Sequence, residues 1–193
     1  MQTKQTITII GDTLNIGSFL AKGLSYGNFR LLLCTGKPQN VETLVQEIHN
    51  ISPESDAEVS NCPFDASWES DIIIIAAPVE AHEEIAGRIR PVSNQKVVIS
   101  ITTASTEGSN GTSTLHDADA AKKLQRLLPN SKIVGAVISG FEGEITSVGN
   151  AGKQIDAMIS GDDHPALEAA AEVFRTANVN PITMGSLASG LYA

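Results

Sequence analysis

Seven residues, GDTLNIG from Gly11 to Gly17, carry the first chemistry the chain offers. They separate an apolar run, Ile7–Ile10, from a segment whose Ile16, Leu20 and Leu24 share one face of a helix. At the start of such a helix the backbone N–H groups of Asn15, Ile16 and Gly17 lack intrahelical partners. The helix dipole adds partial positive charge there, so the turn suits a phosphate, and the Thr13 hydroxyl is a further donor. In the glycine fingerprint of such turns, one glycine makes the turn and a second lets backbone approach a pyrophosphate. A third lets helix and strand pack closely. Gly17 fits the third role and Gly11 stands one residue before the first, while Asp12 and Leu14 occupy the first and second. On this motif alone, a phosphate site and a ligand-free strand–turn–helix stand level.

A second short strand, Leu31–Leu33, runs into CTGKP. That loop has no carboxylate to accept from an adenosine ribose, and offers Thr35 and Lys37 instead. One hydroxyl and one cation suit the 2′-phosphate of NADP, although a single exposed lysine is most often just a solvated surface charge.

Other chemistry is sparse. Cys34 and Cys62 have no metal-ligand spacing and read as small buried side chains. His49, His82, His116 and His164 occupy unrelated positions on or beside helices and read as surface residues, and no metal site is expected. Gly161-Asp162-Asp163, before His164-Pro165, reads as a turn feeding a helix N-terminus. Glu83 and Glu84 read as a solvated helix face, and Ser105, Ser109 and Ser113 have no base in any hydrolase-like pattern.

The elements that must position these residues alternate between strand and helix. Asn40 is expected to cap a helix bearing Val41, Leu44, Val45 and Ile48, and a weaker strand is expected over Ala57–Cys62. Ile72–Ala76 is the β-branched run of a central strand buried on both faces, followed by a helix with Ile85 and Ile89. Val97–Ile101 is another strand, and Thr102–Ser113 a polar loop. Thr114-x-x-Asp117 opens a helix with Leu115, Leu124, Leu127 and Leu128. Strand Lys132–Ile138 precedes a linker spaced by Gly140, Gly143, Gly149 and Gly152. Strand Asp156–Ser160, a helix over Pro165–Thr176 and strand Pro181–Met184 complete the chain.

This alternation predicts an α/β fold with a doubly wound, mostly parallel sheet. The strands from about 155 extend the same sheet, so residues 1–193 are expected to form a single domain. Ligands of such sheets sit beyond the carboxyl ends of the strands, where strand order reverses. That rule adds Ala77, Pro78, Val79 and Thr102 to the candidate residues.

Of the 193 residues, 41% are hydrophobic and 18% charged, as in globular proteins with a real core. A net charge of −9 argues against nucleic acid or an anionic membrane surface as partner. The longest apolar run, Ile72–Val79, is too short to span a bilayer, and no signal peptide is evident. A cytoplasmic location is the expectation.

In these motifs the whole chain resembles the deazaflavin (coenzyme F-420)-dependent NADP oxidoreductases and related bacterial dinucleotide-binding proteins. The family's G-G-T-G-N-[IL]-G loop is matched by GDTLNIG, and its strand ending in Ser-Arg by Thr35-Gly36. AAPVEA from Ala76, Gly161-Asp162-Asp163 before a helix, and Gly185-Ser186-Leu187 through Leu191 match three further motifs. The resemblance implies an NAD(P)-binding Rossmann-like domain that moves hydride between NADP and a second small redox partner, often as a homodimer. By that resemblance Gly11, Thr13, Leu14, Asn15, Ile16 and Gly17 face the pyrophosphate, and Thr35 and Lys37 the 2′-phosphate. Ala77, Pro78, Val79 and Thr102 face the nicotinamide. The chain departs from the family at Asp12, Leu14, Gly36 and Ile138, all beside the ligand crevice. Two readings therefore stand: an NADP-dependent oxidoreductase, or a non-enzymatic module of the same fold acting as sensor, scaffold or subunit partner. Hydride transfer needs no nucleophile or strong acid or base, so no catalytic residue is assigned.

Overall fold

The computed structural model describes residues 4–11, 16–35, 38–103, 113–139 and 155–188. At 38, 39, 103 and 113–119 it describes the backbone alone. The first half alternates strands β1 (Gln5–Gly11), β2 (Phe29–Cys34), β3 (Asp56–Val59) and β4 (Ile72–Ala76) with helices. Those helices are α1 (Ile16–Leu24), α2 (Pro38–Ile51), α3 (Pro63–Glu69) and, after a 3-10 turn at Val79–Ala81, α4 (His82–Ile89). The second half runs β5 (Val97–Thr103), α5 (Ser113–Leu127), β6 (Lys132–Ser139), β7 (Asp156–Gly161), α6 (His164–Thr176) and β8 (Asn180–Gly185).

The eight strands form one sheet in the order β3-β2-β1-β4-β5-β6-β7-β8. From β3 to β6 every neighbouring pair is parallel. β7 runs antiparallel to β6, with Gly135 opposite Ser160, and β8 is parallel to β7. The sheet is thus doubly wound and mostly parallel, as expected, and strands from both ends of the chain share it.

Period-two side chains divide the core between the two sheet faces. On one face Ile7, Ile9, Leu31, Leu33, Ile72 and Ile74 pack against apolar stripes of α1, α2 and α6. On the other, Ile10, Cys34, Ile73, Ile75 and Val98 pack against Ala86 and Ile89 of α4 and Ala121 and Leu124 of α5. Ile72–Ala76 is buried throughout because it is central and covered on both faces.

Several expectations are corrected at element ends. α2 begins at Pro38, so Asn40 lies inside its first turn rather than at its cap; Pro38 starts the helix because its fixed φ suits the first position. The third strand stops at Val59, three residues short of Cys62, which instead precedes Pro63 as the cap residue of the unanticipated helix α3. Thr102 belongs to β5, which continues to Thr103 as it pairs with Ile138. α5 starts at Ser113, before Thr114, and the side chains of its proposed capping pair lie outside the described residues. The expected glycine-spaced linker lies outside them too. The Gly161-Asp162-Asp163 turn is as anticipated: Asp163 caps α6 by accepting from the Ala166 N–H at 2.9 Å. α6 closes with Asn178 at φ 60°, where the Val179 N–H reaches the Phe174 carbonyl at 2.9 Å.

Candidate dinucleotide site

Strand order reverses between β1 and β4, because the chain leaves β1 towards β2 and β3 and returns on its other side. The crevice beyond the carboxyl ends of these two strands is where a doubly wound sheet takes its ligand. Gly11 ends β1 at φ +130°, outside the range that other residues adopt comfortably. A Cβ there would lie 2.3 Å from the Ala76 carbonyl oxygen and 2.9 Å from the Ala77 nitrogen. Only glycine lets the two strand ends meet, so this residue shapes the crevice floor.

Thr13, Leu14 and Asn15 of the turn lie outside the described residues, as do Asp12, Gly36 and Lys37. On the far side of the turn Ile16 and Gly17 open α1 and are buried. The first turn of α1 carries no acidic residue, so nothing within it opposes an anion at its positive end.

Thr35 follows β2, half-buried, next to fully buried Cys34. Burial pushes the Cys34 thiol up to about 11, with the neighbouring Cys62 adding to the shift and Arg88 opposing it. Both cysteines are free, and Cys34 is a buried protonated thiol, unsuited to nucleophilic chemistry.

After β4, Ala77 and Val79 are half-buried and Pro78 is exposed. Pro78 has φ −54° and ψ 147°, and its carbonyl accepts from the Ala81 N–H at 2.9 Å, closing the 3-10 turn. Thr102 stands apart from this segment, on β5: it is half-buried and paired in register with Val137. The structure thus brings Gly11 and Ala77 together, with Pro78 and Val79 following along the chain, and sets Thr102 on the next strand.

His82 was expected at the surface and is instead completely buried. Its Nε2 lies 3.1 Å from the carbonyl oxygen of Ala77, the residue that follows β4. Burial holds its pKa below the usual 6.5; the Ala77 hydrogen bond and Glu80 oppose that shift, and Lys123 adds to it. The signal was present in the sequence, since His82 precedes Ile85, Ala86 and Ile89 by three, four and seven residues and so lies on their apolar stripe. Glu83 and Glu84 are exposed as anticipated.

Among the described residues no three His, Cys, Asp or Glu side chains are grouped to hold a metal ion. Nor is any helix among them long and apolar enough to cross a membrane.

The family model described as NADP oxidoreductase, coenzyme F420-dependent, matches residues 6–104, from β1 through β5. The chain belongs to that family. Within the matched half lie Gly11, the turn before α1, the Thr35 loop and the Ala77–Val79 segment. The probable arogenate/prephenate dehydrogenase of Methanocaldococcus jannaschii is 28% identical over 89 residues, covering 46% of this chain and 18% of its own. Among solved structures, an imine reductase from Pseudomonas sp. superposes with a TM-score of 0.69 at 19% identity, over 97% of this chain and 58% of its own. A reductive aminase from Aspergillus terreus, solved with NADPH and ethyl levulinate, gives 0.70 at 13% identity, over 98% and 57%. The chain therefore spans little more than half the length of these two structures, and the likeness concerns the fold.

Proposed function

We propose that this member of the family is an NADP-dependent oxidoreductase, with residues 1–193 forming one dinucleotide-binding domain. The observation that carries the reading is the junction of Gly11 with Ala76 and Ala77 at the β1/β4 reversal. It stands beside a helix whose first turn carries no acidic residue. That combination fits a dinucleotide: a floor of backbone that a Cβ would fill, and a helix end suited to pyrophosphate. The NADPH bound to the reductive aminase fold-neighbour is consistent with it.

In this reading the turn from Gly11 to Gly17 holds the pyrophosphate, and Thr35 with Lys37 the 2′-phosphate. Ala77–Val79 and Thr102 bound the nicotinamide. When bound, the nicotinamide supplies or accepts the hydride. The chain's own residues orient it and exclude water, and none needs to act as an acid or base. The second substrate is a small redox partner. The protein works in the cytoplasm, without membrane or nucleic acid, and as a homodimer.

Thermal melting with NADPH and with NADH tests the proposal. Ligand at a hundred times its dissociation constant adds about 2.7 kcal/mol, a shift of about 5 to 10 °C for a chain of this size. A larger shift with NADPH than NADH is expected. No shift with either at millimolar concentration overturns the enzyme reading and favours a non-enzymatic module.

A further inference from the structure

His82 occupies a place where an apolar residue would pack as well. It begins α4 on the stripe that continues through Ile85, Ala86 and Ile89, and no part of it is exposed. Its Nδ1 is buried with no hydrogen-bond partner among the described residues, an arrangement that disfavours folding. The remaining nitrogen, Nε2, faces the Ala77 carbonyl oxygen at 3.1 Å. An unpartnered Nδ1 is tolerable only in the neutral ring that carries its proton on Nε2, so Nε2–H donates to Ala77.

The acceptor is the first residue beyond β4, at the strand-order reversal. The next residue, Pro78, has no N–H with which to anchor itself. Gly11 presses on the peptide joining Ala76 to Ala77 from the β1 side. His82 holds the following carbonyl from the α4 side. The backbone is thus gripped from two directions at the point where it turns into the crevice.

We propose that His82 is a positioning residue for the cofactor: its Nε2–H fixes the Ala77 carbonyl and thereby sets how Ala77–Val79 faces the nicotinamide end of the crevice. The proposal rests on the dinucleotide reading above. The adenosine end, at Thr35 and Lys37, lies beyond β2 and is independent of this hydrogen bond.

The experiment compares wild type, His82→Met and His82→Gln. Methionine fills the space without a donor, while the glutamine amide can place an N–H near the Nε2 position. Binding of NADPH and of adenosine 2′,5′-bisphosphate is measured by calorimetry, and amide hydrogen exchange over 76–82 without ligand. His82→Met is expected to weaken NADPH about tenfold and the bisphosphate by less than about twofold. Exchange should quicken locally at 79–82, and His82→Gln should recover both properties. Should His82→Met not fold, His82→Asn, whose amide falls short of Ala77, takes its place. Equal weakening of the two ligands, or a lower melting temperature with unchanged affinity and local exchange, overturns the proposal as a merely structural role. Failure of wild type to bind either ligand overturns the dinucleotide reading. The cofactor role of His82 falls with it, and exchange alone then decides whether His82 holds the segment.

Discussion

Gly11 and Ala76 meet at the ends of two adjacent parallel strands, so closely that a methyl group on Gly11 would stand 2.3 Å from the Ala76 carbonyl oxygen. The contact is backbone against backbone, and no side-chain movement can relieve it. Gly11→Ala also meets strain at φ +130°. It is expected to destabilise the fold by about 2 to 4 kcal/mol and to abolish NADPH binding. Urea unfolding with a cofactor titration checks this. A variant as stable as wild type would show that the strand ends separate easily.

Much of this junction was legible in the sequence, and the reasons differ by element. Ile72–Ala76 was unmistakable because burial on both faces leaves an unbroken apolar run. α3 is hidden in the sequence because its large apolar residues point outward. Phe64 and Trp68 are 38% and 67% exposed, while small Ala66 and Ser67 face the interior. An apolar period read from such a helix marks the wrong face. The reversed direction of β7 leaves no trace in side-chain alternation, which is the same for either strand direction. Residue type alone places His82 at the surface, although its spacing on the α4 stripe marks it as buried.

In the proposed site the 2′-phosphate is assigned to Lys37, and substituting this residue tests that assignment. Lys37→Ala is expected to weaken NADPH by about tenfold while NADH changes by less than twofold, since only NADPH carries the 2′-phosphate. Calorimetric titration of both cofactors measures the difference. Equal losses would remove the 2′-phosphate role.

Asp162 and Asp163 are adjacent in sequence but fasten different parts of the fold. Asp163 Oδ1 caps α6, and Asp162 Oδ1 accepts from the Leu187 N–H at 3.1 Å where the chain leaves β8. Asp163→Ala should cost about 1 kcal/mol through the lost cap. Asp162→Ala should cost a similar amount and loosen Leu187, which packs under α5. Asp162→Asn keeps the acceptor oxygen and should recover most of the loss. Chemical denaturation of the three variants decides, and an equally unstable Asp162→Asn would contradict the Leu187 bond.

Ser100, Gly135 and Ser160 lie side by side across β5, β6 and β7. A Cβ at Gly135 would come within 2.9 Å of the Ala121 Cβ on α5, so Gly135→Ala should destabilise by about 1 to 3 kcal/mol. The Ser100 and Ser160 hydroxyls are buried without partners among the described residues. Ser100→Ala and Ser160→Ala should therefore be neutral or stabilising. A clear loss of stability in either serine variant would mean that its hydroxyl has a partner in solution.

The buried imidazole also makes stability depend on pH. His82 titrates below its usual 6.5, chiefly because burial disfavours the charged ring, and a second proton-bearing nitrogen would find no acceptor among the described residues. Lys123 of α5 disfavours that charge, Glu80 of the 3-10 turn favours it, and Glu83 is 3.6 Å from Lys123. The unfolded chain takes up a proton near 6.5 while the folded chain does not, so acid favours unfolding. The stabilising difference is complete above about pH 6.5 and is lost as pH falls from there through the lowered folded value, by at most about 1.4 kcal/mol per pH unit. Urea unfolding at pH 7.5 and 5.5 should show a larger drop for wild type than for His82→Met. Equal drops would mean that the proton is taken up elsewhere and that the ring is freely protonated in the folded state.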